Sequence, residues 1–255
     1  MESPRSLVIK VGTNVLTRPD GRLDVTNISS LVDQIAALKA AGISLVLVSS
    51  GAVGAGRELL ATEEGFGEVA RRQVLSALGQ PRLMELYRQL FGGHGLHCAQ
   101  VLATKGDFRD DRHYDNMLNC FTALLHDQIV PVVNENDVVS VTELMFTDND
   151  ELAGLVARML KVDGLVILSS VDGLYDGPPE EAGSRLIPEV AADDESVLGY
   201  VQEAKTSFGR GGMGTKLRIA GETARAGIPT YLGNGRRGGV LLEVLGGGWS
   251  GTVVG

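Results

Sequence analysis

Short acids and amides gather at two places in this chain: Asn134, Glu135, Asn136 and Asp137, and, ten residues further on, Thr147, Asp148, Asn149 and Asp150. Each group stands where an apolar run stops, residues 129–133 before the first and 141–146 before the second. Carboxylates and amides are expensive to desolvate, so strand ends that collect them usually have something polar to hold. A ligand with an amine or a metal ion as well as a carboxylate would suit them. Asp148-Asn149-Asp150 also has a plainer use as a helix cap, where a short acid accepts the first free N–H groups. A cap accounts for one of the three residues and leaves two. Asn134 and Asp137 fit an Asx-rich turn equally well.

Three glycine-bearing turns supply candidate anion sites. In the first, Lys10 lies inside an apolar strand and Gly12 follows it. Buried lysines want a counter-anion, which favours a functional role for Lys10 over an idle one. In the second, Ser49-Ser50-Gly51-Ala52 closes another apolar run, and its hydroxyls and open backbone N–H groups suit an anion. An ordinary strand-to-helix turn explains that loop just as well. The third is Gly209-Arg210-Gly211-Gly212-Met213-Gly214-Thr215-Lys216, which opens a helix. It satisfies the dinucleotide fingerprint in spacing, yet no apolar strand precedes it and the next strand ends in Gly233-Asn234 rather than an acid. It also resembles a P-loop with its last two residues exchanged, which moves the lysine about 100° around the helix. What survives is a glycine-rich anion loop with a lysine on the first helical turn.

Lysines, glycine turns and acids without a catalytic histidine suit one chemistry in particular. His94, His97, His113 and His126 form no pair with ligand spacing, and no Ser-His-Asp or Cys-His set stands out. A carboxylate nucleophile is already ionised at pH 7 and needs no general base. Phosphoryl transfer to it is a matter of positioning and charge neutralisation. The expected activity is that of a small-molecule kinase acting on the side-chain carboxylate of an amino acid.

The elements that must position these residues alternate. Strands are expected at 7–11, 43–48, 96–102, 129–133, 164–168 and 230–232. Helices are expected at 27–41, 68–91, 111–126, 150–160 and 215–226. That alternation predicts α/β architecture with a mostly parallel sheet, whose ligand crevice lies beyond the carboxyl ends of the strands. Residues 172–185, with two prolines and four acids, read as a surface excursion. With 255 residues and 44% hydrophobic content the chain can build one large domain. A net charge of −9 speaks against a nucleic-acid partner, which needs a basic surface, but not against a local anion site. Cys98 and Cys120 lie in apolar surroundings without ligand spacing, which predicts buried free thiols. The early first strand leaves no room for a signal peptide, and no apolar run approaches the ~20 residues of a membrane span. A cytoplasmic protein is expected.

Six co-linear motifs now carry a resemblance. Lys10-Val-Gly-Thr-Asn, Ser49-Ser-Gly-Ala-Val-x-Ala-Gly, Val133-Asn-Glu-Asn-Asp137, Asp148-Asn-Asp150, Gly173-Leu-Tyr175 and Gly211-Gly-Met-x-Thr-Lys216 resemble the glutamate 5-kinases of the amino-acid kinase family. The resemblance implies one three-layer αβα sandwich over 1–255, mainly substrate-binding at first and mainly nucleotide-binding from about 163. It implies transfer of the γ-phosphoryl group of ATP, with Mg2+, to L-glutamate in the first step of proline synthesis. Lys10 and Lys216 would steady the phosphoryl group, and Asp150 would hold them. Ser50, Gly51, Ala52, Asn134, Asp137, Asp148 and Asn149 would form the glutamate site, with Asp137 at the α-amino group. Gly12, Ser169, Ser170, Gly173, Tyr175, Arg210, Gly211, Gly212, Met213, Gly214 and Thr215 would join both lysines around the nucleotide. Family members often carry Thr-Asp where Ser169-Ser170 stands here, and many add a C-terminal PUA domain that is expected to be absent from this chain. Feedback by proline and a homo-oligomer, dimer or tetramer, are further implications. The alternatives are a related kinase acting on acetylglutamate, aspartate or carbamate, and a silent amino-acid sensor. Retention of Lys10, Lys216 and Asp150 together speaks against the sensor. The acids around Asn134 speak against acetylglutamate, whose blocked amine has no use for them.

Overall fold

The computed structural model describes residues 4–60, 67–140, 148–200 and 212–255. In chain order its elements are β1 (Ser6–Val11), α1 (Thr13–Leu16), α2 (Val25–Ala40), β2 (Ser44–Ser49), α3 (Ala52–Arg57), α4 (Glu68–Gly93), β3 (Cys98–Ala103), α5 (Asp111–His126) and β4 (Val130–Glu135). There follow α6 (Asn149–Leu160), β5 (Gly164–Ser169), β6 (Leu174–Tyr175), β7 (Leu186–Ile187), β8 (Glu189–Val190), α7 (Met213–Arg225), β9 (Thr230–Asn234), α8 (Glu243–Gly246) and β10 (Thr252–Val254). Eight strands form one sheet in the order β3-β4-β2-β1-β5-β9-β10-β8. Neighbours pair in parallel except β9 with β10. β6 and β7 form a separate antiparallel pair within the excursion at 172–185 and just beyond it.

The apolar runs are continuous because helices cover both faces of the sheet. Leu7, Ile9 and Val11 point into one core with Leu45, Leu47, Val130 and Val132, under α2 and α4. Val8, Val46, Val48, Val133 and Ile167 point into the other, under α5, α6 and α7. Side chains alternate along a strand, so Lys10 shares the face of Val8. That parity alone delivers its ammonium to the layer built by α6 and α7.

Local signals set the ends. Asp24 caps α2 by accepting from the Asn27 N–H at 3.2 Å, and Gly42 closes it at φ +85°, a conformation that favours glycine. Asp110 caps α5 in the same manner. One expectation is corrected. Cys98 is only half-buried and Cys120 is exposed, because α5 buries Phe121 and turns the adjacent position outward. The apolar run at 141–146 lies outside the described residues. No described helix is long and apolar enough to cross a membrane.

Candidate functional site

β1, β2, β4, β5 and β9 all run parallel, so their carboxyl ends share one edge of the sheet. The predicted residues collect there. Lys10 reaches the N-terminus of α6, where its Nζ lies 2.7 Å from Asp150 Oδ1. Lys216, on the first turn of α7, places its Nζ 2.9 Å from Asp150 Oδ2. Lysines 206 positions apart thus meet on one carboxylate that is fully buried. Burial pushes the Asp150 carboxyl up, but the two ammonium groups outweigh it and hold it down at about 2. The Lys10 ammonium carries three N–H donors, so holding it against Asp150 leaves capacity for a phosphoryl oxygen.

The distance between α6 and α7 is set by a glycine. A Cβ on Gly154, one turn beyond Asp150, would meet Ile219 Cγ2 at 2.7 Å. Only the bare backbone lets α7 come close enough for Lys216 to reach Asp150.

Asp148 caps α6, its Oδ1 accepting from the Asp150 N–H at 2.9 Å and the Glu151 N–H at 3.2 Å. Its Oδ2 is buried with no hydrogen-bond partner among the described residues. Burial and then the Asp150 charge push the Asp148 carboxyl up to about 6. Such an acid stands ready for a cation. Asn149 fans its amide between Ser50 Oγ at 3.0 Å and Asn134 Oδ1 at 2.9 Å. Asn134 in turn donates to Gln80 Oε1 at 3.0 Å. Gly51, at φ +104°, makes the turn into α3.

One face of α4 reads the end of β4. Arg72 lies against Asp137 Oδ1 through Nε at 2.8 Å and Nη2 at 2.6 Å, and its Nη2 donates to Glu135 Oε2 at 3.0 Å. Ser76 Oγ donates to Asp137 Oδ2 at 2.9 Å. Sequence reasoning missed Arg72, Ser76 and Gln80. Their signal was available: 72, 76 and 80 recur at four-residue spacing beside the buried Leu75, Gly79 and Leu83. Asp137, expected at the α-amino group, has Arg72 and Ser76 as protein partners. α4 gains its place through two glycines. A Cβ on Gly56 would lie 2.0 Å from Leu75 O, and one on Gly79 would lie 1.8 Å from Ala52 O.

On the other side of Lys10, β5 and β9 end in a second polar set. The Ser169 hydroxyl is used within its turn, donating to Val171 O and accepting from the Val171 N–H. Ser170 is exposed. Asp172 accepts from Asn234 Nδ2 at 3.1 Å and from the Tyr175 hydroxyl at 3.2 Å. A Cβ on Gly173 would come within 2.8 Å of the Thr252 backbone N. The Gly12 N–H donates to Leu168 O at 3.2 Å, so its amide extends the pairing of β1 with β5. Gly212, Met213, Gly214 and Thr215 lie half-buried at the start of α7. Gly209, Arg210 and Gly211 lie outside the described residues.

A pair of buried lysines on one acid, at the carboxyl edge of an open αβα sheet, is the site of a fold class built to handle anions. The Amino acid kinase family model matches residues 5–234, and the chain belongs to that family. It is 50% identical to the glutamate 5-kinase of Chlorobaculum tepidum over 248 residues, covering 97% of this chain and 68% of that protein. It is 47% identical to the glutamate 5-kinase of Bacteroides thetaiotaomicron, covering 94% of this chain and 66% of the relative. The chain thus spans about two thirds of the length of these relatives. In fold it is similar to the carbamate kinase from Giardia lamblia bound to AMP-PNP. The TM-score is 0.71, at 20% identity, over 100% of this chain and 99% of that one.

Proposed function

We propose that the chain transfers the γ-phosphoryl group of ATP to the side-chain carboxylate of L-glutamate, giving γ-glutamyl phosphate and ADP. The convergence of Lys10 and Lys216 on Asp150 carries this reading. A glutamate carboxylate oxygen attacks the γ-phosphorus, the bond to the bridging oxygen of ADP breaks, and the two ammonium groups neutralise charge on the group in transit. Glutamate lies over the ends of β2 and β4, with Ser50, Asn134 and Asn149 around its chain. Asp137 meets its amine, while Asp148 caps α6 at the reacting end beside Asp150. The nucleotide lies over β5, β9 and the start of α7, against Gly173, Tyr175 and the Gly212–Lys216 turn. Among the described residues no three acids, histidines or cysteines converge to hold a metal. Mg2+ would arrive on the phosphates of ATP and offset their charge there.

An acceptor panel tests the reading. ADP release should appear with L-glutamate and stay at background with N-acetylglutamate, aspartate and carbamate. Release with one of the others and none with glutamate overturns it. The glutamate 5-kinase relatives support proline synthesis as the setting, and a cytoplasmic homo-oligomer under proline feedback is part of the same proposal.

A further inference from the structure

The Arg72 cluster is larger than a structural clamp needs. Glu135 and Asp137 have side chains only 4% and 5% exposed, yet the Arg72 side chain between them is 27% exposed. Arg72 spends Nε and Nη2 on the two acids. Its Nη1 has no partner among the described residues. On Asp137, Oδ1 takes both contacts from Arg72 and Oδ2 takes one from Ser76. A carboxylate has about four acceptor positions, so Asp137 keeps one. A cationic donor pair and an anionic acceptor therefore stand side by side, which is the complement of an α-ammonium next to an α-carboxylate.

Position supports the match. Lys10 on β1 lies two strands from the end of β4, about 10 Å at the usual inter-strand spacing. Asn134, Asn149 and Ser50 bridge that interval by hydrogen bonds. An amino acid with a two-methylene side chain spans it, its zwitterion at Arg72 and Asp137 and its far carboxylate at Lys10.

We infer that Arg72 is a specificity-determining residue that binds the α-carboxylate of the substrate through Nη1 while orienting Asp137 toward the amine. This rests on the glutamate reading above and names what selects a free α-amino acid. The source of selectivity is a guanidinium that would be left facing a neutral group when the carboxylate is blocked.

The test compares kcat/KM for L-glutamate with that for its α-amide, isoglutamine, which keeps the amine and the reacting carboxylate. The wild type should prefer glutamate by about ten- to hundredfold, the range of a charge-assisted hydrogen bond. Arg72→Gln should bring the two values within about threefold of each other. Arg72→Lys, the milder change should the first not fold, should give an intermediate ratio. Equal use of both acceptors by the wild type overturns the inference. So does a wild-type preference kept in full by both variants, which would leave Arg72 as a prop for Asp137 alone. Failure of the wild type on glutamate itself sinks the underlying reading, and with it this one.

Discussion

In the proposed reaction the contact of Lys216 with the transferring group strengthens as charge develops on it, so its loss should fall mainly on the chemical step. Lys216→Ala is expected to lower kcat by about two to three orders of magnitude and to change the KM for glutamate by less than about threefold. Steady-state kinetics in both substrates check this, and equal losses in kcat and binding would contradict it. Asp148 gives a pH signature. Its folded carboxyl lies at about 6, above the ordinary value of 3.8, so between those values the native state holds more protons than the unfolded one. Stability therefore falls as pH rises through that window, by roughly 2–3 kcal/mol at most. Asp150 works in the opposite sense and lower down, its stabilisation being lost only as pH falls toward about 2. Asp148→Asn keeps an oxygen for the α6 cap. Its stability relative to wild type should thus increase between pH 4 and pH 6.5 in chemical denaturation. A constant difference would show that Asp148 is not so perturbed. Lys10, Lys216 and Asp150 were legible as types, because a lysine within an apolar strand demands an anion. Arg72 was passed over, because an arginine on an amphipathic helix reads as solvated unless its four-residue spacing with Ser76 and Gln80 is weighed.

At the scale of elements, two glycines carry the α3–α4 crossing. A methyl on Gly79 would collide with backbone, Ala52 O and Gly56 N at 2.4 Å, which no rotamer change relieves. Gly79→Ala is expected to cost more than about 3 kcal/mol and to raise the KM for glutamate, since Arg72, Ser76 and Gln80 ride on the same helix. Gly92→Ala in that helix meets nothing within 4 Å and should stabilise by about 0.5 kcal/mol. Thermal unfolding of the pair checks both, and similar effects would refute the role given to Gly79. The long elements were readable from periodicity: α5 matches its expected span, and α4 is extended by two residues. α1 and α3 were not. They have four and six residues, the second threaded with glycines, and are held by packing rather than by propensity.

Across the whole molecule, β1 stands between β4 and β9, which puts the proposed glutamate contacts on one side of it and the proposed nucleotide contacts on the other. Glutamate alone should slow amide hydrogen exchange at the end of β4 and the start of α4. A non-hydrolysable ATP analogue should slow it at residues 170–176 and the start of α7. Protection by either ligand spread evenly over both sides would argue against this division. A mostly parallel αβα sheet was plain from the alternation of runs and amphipathic stretches. The antiparallel β10 was not, because three residues after a glycine-rich tail carry too little pattern and pair only once β9 and β8 are in place. The site was legible as a set of strand ends but not as a geometry, since only folding brings residues 10, 150 and 216 together.

The most direct measurement is γ-glutamyl hydroxamate formed from L-glutamate, ATP, Mg2+ and hydroxylamine by the wild type and by Lys10→Ala, Lys216→Ala and Asp150→Asn, all at saturating substrates. The wild type should form the hydroxamate, and each variant should fall by about two orders of magnitude or more. A wild type that forms none, or variants that match it, would contradict the claim that two lysines held by one buried acid carry the phosphoryl group across.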